Sequence, residues 1–179
     1  MKRLTGSRAF GRIGVVFIVA ALLWLVTFAA AQRPVFATPT VDRIVVAKAN
    51  RTMTLMRNGQ AFKTYRVALS REPVGPKERE GDHRVPEGLY TIDSKNAHSR
   101  FHLALHISYP NPADRERARK LGVKPGGNIE IHGLGSTYGW VGSLQRQVDW
   151  TDGCVAVTNI EIEEIWNIVP VGTPLEIRP

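Results

Sequence analysis

Cys154 is the only cysteine among 179 residues, and a histidine, His132, stands upstream of it beside a glycine. A cysteine attacks acyl groups as the thiolate, so it needs a base or positive partner to lower its pKa and donors aimed at the oxyanion that develops. Gly153 directly precedes Cys154 in the run TDGCVAVTN. A glycine there lets the backbone approach a substrate closely and leaves the amides of Gly153 and Cys154 available as those donors. His132 ends the short run Asn128 to His132, in which Ile129 and Ile131 alternate with Glu130 and His132. On a strand its ring would face away from the two isoleucines and could reach a nucleophile held on a neighbouring loop. Residue types alone leave two other readings open, a thiol buried as a small apolar group and a histidine that only satisfies a structural hydrogen bond.

His102 and His106 share a strand face and, with Cys154 and His132, could be read as a metal site. No CxxC or HExxH spacing accompanies them, so no metal and no organic cofactor is expected. An intrachain disulfide is excluded by count, which leaves an intermolecular link as a further reading of the lone thiol, and a thiol redox role lacks a resolving cysteine.

The elements that must position these residues are mainly strands. Arg43 to Lys48 and Thr52 to Arg57 are β-branched or apolar runs, and Asn58-Gly59 signals a hairpin into Phe62 to Leu69. Residues 70–88 carry three prolines and three glycines and read as a long loop. Strand character returns at Leu89 to Asp93 and at Phe101 to Ser108, where Phe101, Leu103, Leu105 and Ile107 share one face by alternation. Asn111 and Pro112 start a charged helix that ends at Gly122. Thr158 and Glu161 have capping-box spacing ahead of a second helix, and LEIR closes the chain as a strand. The expected fold is therefore mainly β with a few helices, a sandwich or barrel-like domain.

Residues 1–31 read as an export segment: Lys2, Arg3, Arg8 and Arg12 precede the apolar run Ile13 to Ala31. Its length lies between that of a signal peptide ending in Ala29, Ala30 and Ala31 and that of a retained anchor, which needs roughly 20 apolar residues. Residues 32–41 form a proline-containing tether, and residues 42–179 form one domain. The formal charge of +8 falls by four when the leader is set aside, because it holds four basic residues and no acid. What remains is diffuse, without the basic tract that would point to nucleic acid. It suits work near anionic wall polymers or lipid surfaces.

The segment IHG, seventeen residues from Leu134 to Trp150, and then TDGC resembles the signature of the L,D-transpeptidase (YkuD-type) family. NG, GDHRVPEGLYTI, FHLALHISYPN and the acidic helix after Cys154 look like further landmarks of it. The resemblance implies a YkuD-like β-rich catalytic domain in the periplasm or cell envelope, anchored to the inner membrane if the leader is retained. It implies Cys154 as nucleophile, His132 as base, the Gly133 carbonyl as the group that orients the imidazole, and Gly153 and Cys154 amides as the oxyanion hole. A resting thiolate-imidazolium pair follows from those roles. The partners implied are peptidoglycan stem peptides, as acyl donor and amine acceptor, and a wall-linked protein. Thr151, Asp152, His102, Tyr109, Tyr138 and Trp140 are the candidate substrate-contacting residues. Two positions depart from the family pattern: Asp152 replaces a histidine, and Ala156 stands where Arg or Asn is usual. They point to a divergent envelope subgroup that includes enzymes detaching proteins from peptidoglycan. Alongside acyl transfer stand hydrolysis of the same acyl-enzyme, by an L,D-carboxypeptidase or an amidase, and a wall-binding module that has lost its chemistry.

Overall fold

The computed structural model describes residues 40–179; the expected export segment and nearly all of the tether lie outside them. The order of elements is β1 (Arg43–Ala47), β2 (Thr52–Arg57), β3 (Gln60–Arg66), β4 (Gly88–Ser99), β5 (His102–Ile107), α1 (Pro112–Leu121), β6 (Glu130–His132), α2 (Gly135–Tyr138), a 3-10 stretch (Gly139–Gln147), β7 (Val155–Ala156), α3 (Asn159–Ile168) and β8 (Pro174–Arg178). The strands form one sheet in the order β3-β2-β1-β8-β4-β5-β6-β7, antiparallel except for β1 with β8 and β6 with β7. Its two ends meet. Beyond β3 the chain runs on so that Ala68 and Ala156 exchange both backbone hydrogen bonds at 2.9 Å, Thr151 donates to the Leu69 carbonyl, and Arg71 donates to that of Thr151. The sheet thus closes on itself, and the segment carrying Cys154 lies at the seam. Among the described residues no helix is long and apolar enough to cross a membrane.

The core follows from strand alternation. Ile44 and Val46 of β1, Met53 and Leu55 of β2, and Leu175 and Ile177 of β8 are all buried, and Ile162 and Ile165 of α3 close over the sheet. Each such side chain contributes about 1.5–3 kcal/mol through removal from water. Both long helices begin with a capping box, Asn111 with Asp114 and Thr158 with Glu161. In each, a side-chain oxygen takes one of the N–H groups left without a partner in the first turn.

Residues 71–87 contain no strand, in line with the loop expected over 70–88, yet they are firmly held. The buried Lys48 ammonium donates to the carbonyls of Gly75 and Val85 and to Glu87. Lys77 pairs with Asp82 at 2.7 Å, and Asp82 accepts from the amides of Glu78, Arg79 and Arg84. Burial alone would raise Asp82, but those donors and Lys77 outweigh it and hold the carboxyl below its ordinary value.

Two boundaries differ from expectation. β4 runs to Ser99 rather than stopping at Asp93, because its polar second half gains strand character by pairing with β5 and not from an apolar face. Phe101 lies outside β5 instead of sharing its apolar face. His102, at φ +81°, turns the chain and breaks the alternation there.

Candidate active site

β6 is only three residues long, and all three are buried. Ile131 joins the core, while Glu130 and His132 look into a cleft of about 790 Å³ that Cys154 also lines. His132 is 1 % exposed. Its Nδ1 lies 2.7 Å from the Gly133 carbonyl. A carbonyl can only accept, so in the neutral ring Nδ1 carries the proton and Nε2 keeps a lone pair. Phe101 stacks on the imidazole at 4.1 Å with 19° between the planes, and Trp150 meets it edge-on at 5.7 Å. Gly133 admits no side chain: a Cβ would stand 2.6 Å from Asn159 Oδ1 and 2.9 Å from the Phe101 carbonyl. Asn159, at the start of α3, also accepts from the Leu134 amide and donates to the Gly135 carbonyl, so that helix fixes the turn behind the base.

The cysteine lies on the turn between Trp150 and β7. Gly153 has φ +130°, and a Cβ there would come within 3.0 Å of the Arg84 carbonyl and of Ile129 Cδ1. Glycine is required on both counts. Thr151 is buried; its hydroxyl donates to the Cys154 carbonyl at 2.8 Å and accepts, at 3.4 Å, from the Gly153 amide. The Cys154 sulfur lies 3.8 Å from the Asn128 carbonyl as a weak donor. Arg51 and the Leu69 amide both bind Asp149, which secures the stretch leading into the turn.

Electrostatics set the protonation state. Burial pushes the Cys154 thiol up to about 11; the Glu130 backbone amide favours the thiolate, but the charges of Glu130 and Asp152 oppose it. Burial also lowers His132 to about 4, against the Gly133 hydrogen bond and together with repulsion from Arg100. The resting pair is therefore neutral thiol and neutral imidazole. This corrects the thiolate-imidazolium pair expected from sequence: both partners sit where desolvation disfavours charge, and it outweighs the Glu130 amide and Lys77 at Cys154 and the Gly133 hydrogen bond at His132.

The other candidates separate. Asp152 lines the cleft and pairs with His83 at 2.9 Å and Arg71 at 3.5 Å, two residues of the 70–88 loop. Thr151 braces the turn with its hydroxyl. His102 and Tyr109 do not border the cleft. His102 is held by Glu163 at 2.7 Å, and Tyr109 is buried, its hydroxyl donating to the Pro125 carbonyl while its ring packs edge-on to Tyr90. Tyr138 lines a separate apolar depression of about 310 Å³ behind Phe101 and Trp150, and Trp140, 81 % exposed, projects into solvent. His106 is bound to Asp93 at 2.7 Å. Among the described residues no group of three or more His, Cys, Asp or Glu is arranged to hold a metal ion.

Sequence reasoning passed over Phe101, Glu130, His83 and Arg71 as site residues. Glu130 carried a signal, since alternation places it on the face of His132. The other three carried none, because their approach depends on how a loop without regular pattern folds back.

The L,D-transpeptidase catalytic domain family, YkuD, matches residues 41–177. YafK of Escherichia coli (strain K12) is 29 % identical over 132 residues, covering 70 % of this chain and 46 % of YafK. The chain thus spans about half the length of that curated relative. Among solved structures, Bd1075 of Bdellovibrio bacteriovorus is 25 % identical with a TM-score of 0.54, over 77 % of this chain and 48 % of that one. The helical cell shape determining protein Pgp2 of Campylobacter jejuni, 22 % identical, shares the fold with a TM-score of 0.60 over 79 % of this chain and 48 % of its own. With the family match running from Val41 to Ile177, across the sheet, His132 and the turn that carries Cys154, the chain belongs to the YkuD family of L,D-transpeptidase catalytic domains.

Proposed function

We propose that this protein transfers peptidoglycan stem-peptide acyl groups through a thioester on Cys154, in the periplasm or cell envelope. The observation that carries the reading is the shared cleft, in which a thiol and an imidazole with its Nε2 lone pair available face the same space. Because both start neutral, His132 acts as a general base in the attack itself. Nε2 takes the thiol proton as the sulfur adds to the carbonyl carbon, and the Cys154 amide receives the oxyanion, joined by the Gly153 amide as it leaves its 3.4 Å bond to the Thr151 hydroxyl. Collapse breaks the bond to the leaving residue, whose amine takes the proton from His132. An acceptor amine then attacks the thioester, the C–N bond forms and the C–S bond breaks, and the proton returns to sulfur.

Gly133 holds the tautomer throughout. Phe101 and Trp150 keep water from the imidazole faces, which preserves Nε2 as a proton acceptor between substrates. The cleft is rich in polar side chains, including Arg71, Glu80 and His83, and so also admits water. That favours hydrolysis of the same acyl-enzyme as the second reading, whether as carboxypeptidase or in release of a wall-linked protein.

The test is muropeptide analysis by mass spectrometry after incubation of purified full-length protein with disaccharide tetrapeptides. Cross-linked or amine-exchanged products support transfer, and shortened stems support hydrolysis. Neither product, or products that persist in Cys154→Ala, would refute the assignment. Export is tested separately by an alkaline phosphatase fusion after Val41, which is active only on the far side of the membrane.

A further inference from the structure

Glu130 is a charged group of the cleft, on the strand face of His132, that the mechanism above leaves without a task. It is 9 % exposed and borders the same space as Cys154. Among the described residues its carboxylate has no hydrogen-bond partner, while His132 beside it is held through Nδ1 by the Gly133 carbonyl. Two basic side chains are within electrostatic reach, Arg100 and, opposite it on β5, His106. Neither closes on it: His106 is bound to Asp93, and the Arg100 guanidinium lies over the Phe101 ring at 4.7 Å.

Glu130 opens onto the cleft, so its carboxylate oxygens are free to accept from a ligand's donors. Burial raises the carboxyl above its ordinary value, with His106 and Arg100 acting in the opposite direction. Its charge also opposes ionisation of the nucleophile. Glu130 thus opposes ionisation of the thiol that shares its cleft, and a cation placed beside it relieves that opposition. The occupant must be compact and rich in donors. An aliphatic ammonium offers three, enough for the carboxylate and the adjacent Asn128 carbonyl. A metal ion would need further acidic or histidine ligands, which the described residues do not assemble there.

We propose that Glu130 is the binding site for a primary ammonium group of the peptide substrate, held next to Cys154. This rests on the acyl-transfer reading, in which an amine must reach the thioester. Binding there also cancels the negative charge facing the sulfur, so the thiol becomes easier to ionise when substrate is present.

The experiment uses full-length protein and three methanethiosulfonate reagents with one leaving group: aminoethyl (cationic), methyl (neutral) and sulfonatoethyl (anionic). Rates at Cys154 are read by mass spectrometry and divided by those of a small free thiol. The cationic reagent should exceed the neutral one about tenfold. That ratio should fall to within about twofold in Glu130→Gln and persist in Asp152→Asn. In the wild type, butylammonium chloride at constant ionic strength should slow the cationic reagent alone, a readout that needs no variant to fold. A wild-type thiol indifferent to reagent charge, or a preference that survives Glu130→Gln or disappears in Asp152→Asn, overturns the proposal and leaves acyl transfer standing. A thiol inert to all three overturns both. With stem peptides, a raised KM for the donor in Glu130→Gln identifies the donor's side-chain amine as the occupant, and a raised KM for the acceptor identifies the attacking amine.

Discussion

The two halves of the reactive pair are held by opposite means. His132 is fixed by its own neighbourhood in the chain: a three-residue strand, the carbonyl of the next residue, and a glycine behind which α3 leaves no room for a Cβ. Cys154 is fixed from a distance. Its turn is bonded to residues 69–71 at the sheet seam, packed on the Arg84 carbonyl, and lined by side chains that arrive from the 70–88 loop. A base must keep one tautomer and one direction, which local geometry supplies. A nucleophile must accept a large substrate, and a long pinned loop can shape that space without disturbing the strands.

Complete loss of one half is the harshest way to break the contrast. His132→Gln keeps a polar group of similar size but no base, and acyl transfer should fall by at least about a hundredfold, measured as product formed per minute. The same variant tests the buried state of the ring. Because the folded imidazole titrates near 4 and an unfolded one near 6.5, the unfolded chain binds the extra proton between these values. Wild-type stability should therefore fall by roughly 3 kcal/mol as pH drops through that window, beyond any fall common to both proteins. Urea unfolding at pH 4 and pH 7 checks this, and equal pH slopes in wild type and His132→Gln would show that the ring is not held neutral.

Gly133→Ala and Gly153→Ala compare the two glycines directly. The first forces a Cβ against Asn159 and the Phe101 carbonyl, and the second adds strain at φ +130°. Each should cost about 1–3 kcal/mol in thermal or urea unfolding. Gly133→Ala should also let the His132 titration move, and Gly153→Ala should leave it near 4, as read by NMR of the ring.

Thiol reactivity gives an intermediate effect. Iodoacetamide modification of Cys154 in the unliganded protein should rise steeply only above the pH of about 8.5 at which an ordinary thiol ionises, following the raised value of about 11. Alkylation that is complete in the neutral range would show a thiolate at rest.

The smallest change expected is from Asp152→Asn. Its carboxylate is largely exposed, and its bonds to His83 and Arg71 are those of a surface pair. Stability should shift by less than about 1 kcal/mol, with a few-fold effect on rate through the nearby thiol. A hundredfold loss would mean that the pair acts on the chemistry.

The same contrast decides what the sequence could reveal. Cys154, His132, Gly133 and Gly153 stand out because local rules place them: alternation on β6, a positive φ, a motif at fixed spacing. The hairpin at Asn58-Gly59, the Asn111 cap and the Thr158-Glu161 capping box were legible for the same reason. Phe101 was misplaced, since the turn at His102 that swings its ring over the imidazole has no pattern in the residue string. Tyr109 looked like a groove residue and is instead buried against Tyr90. Lys48 shows the limit most clearly. It reads as the polar end of a strand, yet it is buried and binds three oxygens of a loop more than twenty residues away.

The neutral resting pair also bears on the survival of an unpaired sulfur. Peroxide and small disulfides react with thiolate, and at a value of about 11 almost none is present near neutrality. By holding the thiol protonated, desolvation disfavours formation of sulfenic acid and mixed disulfides at Cys154.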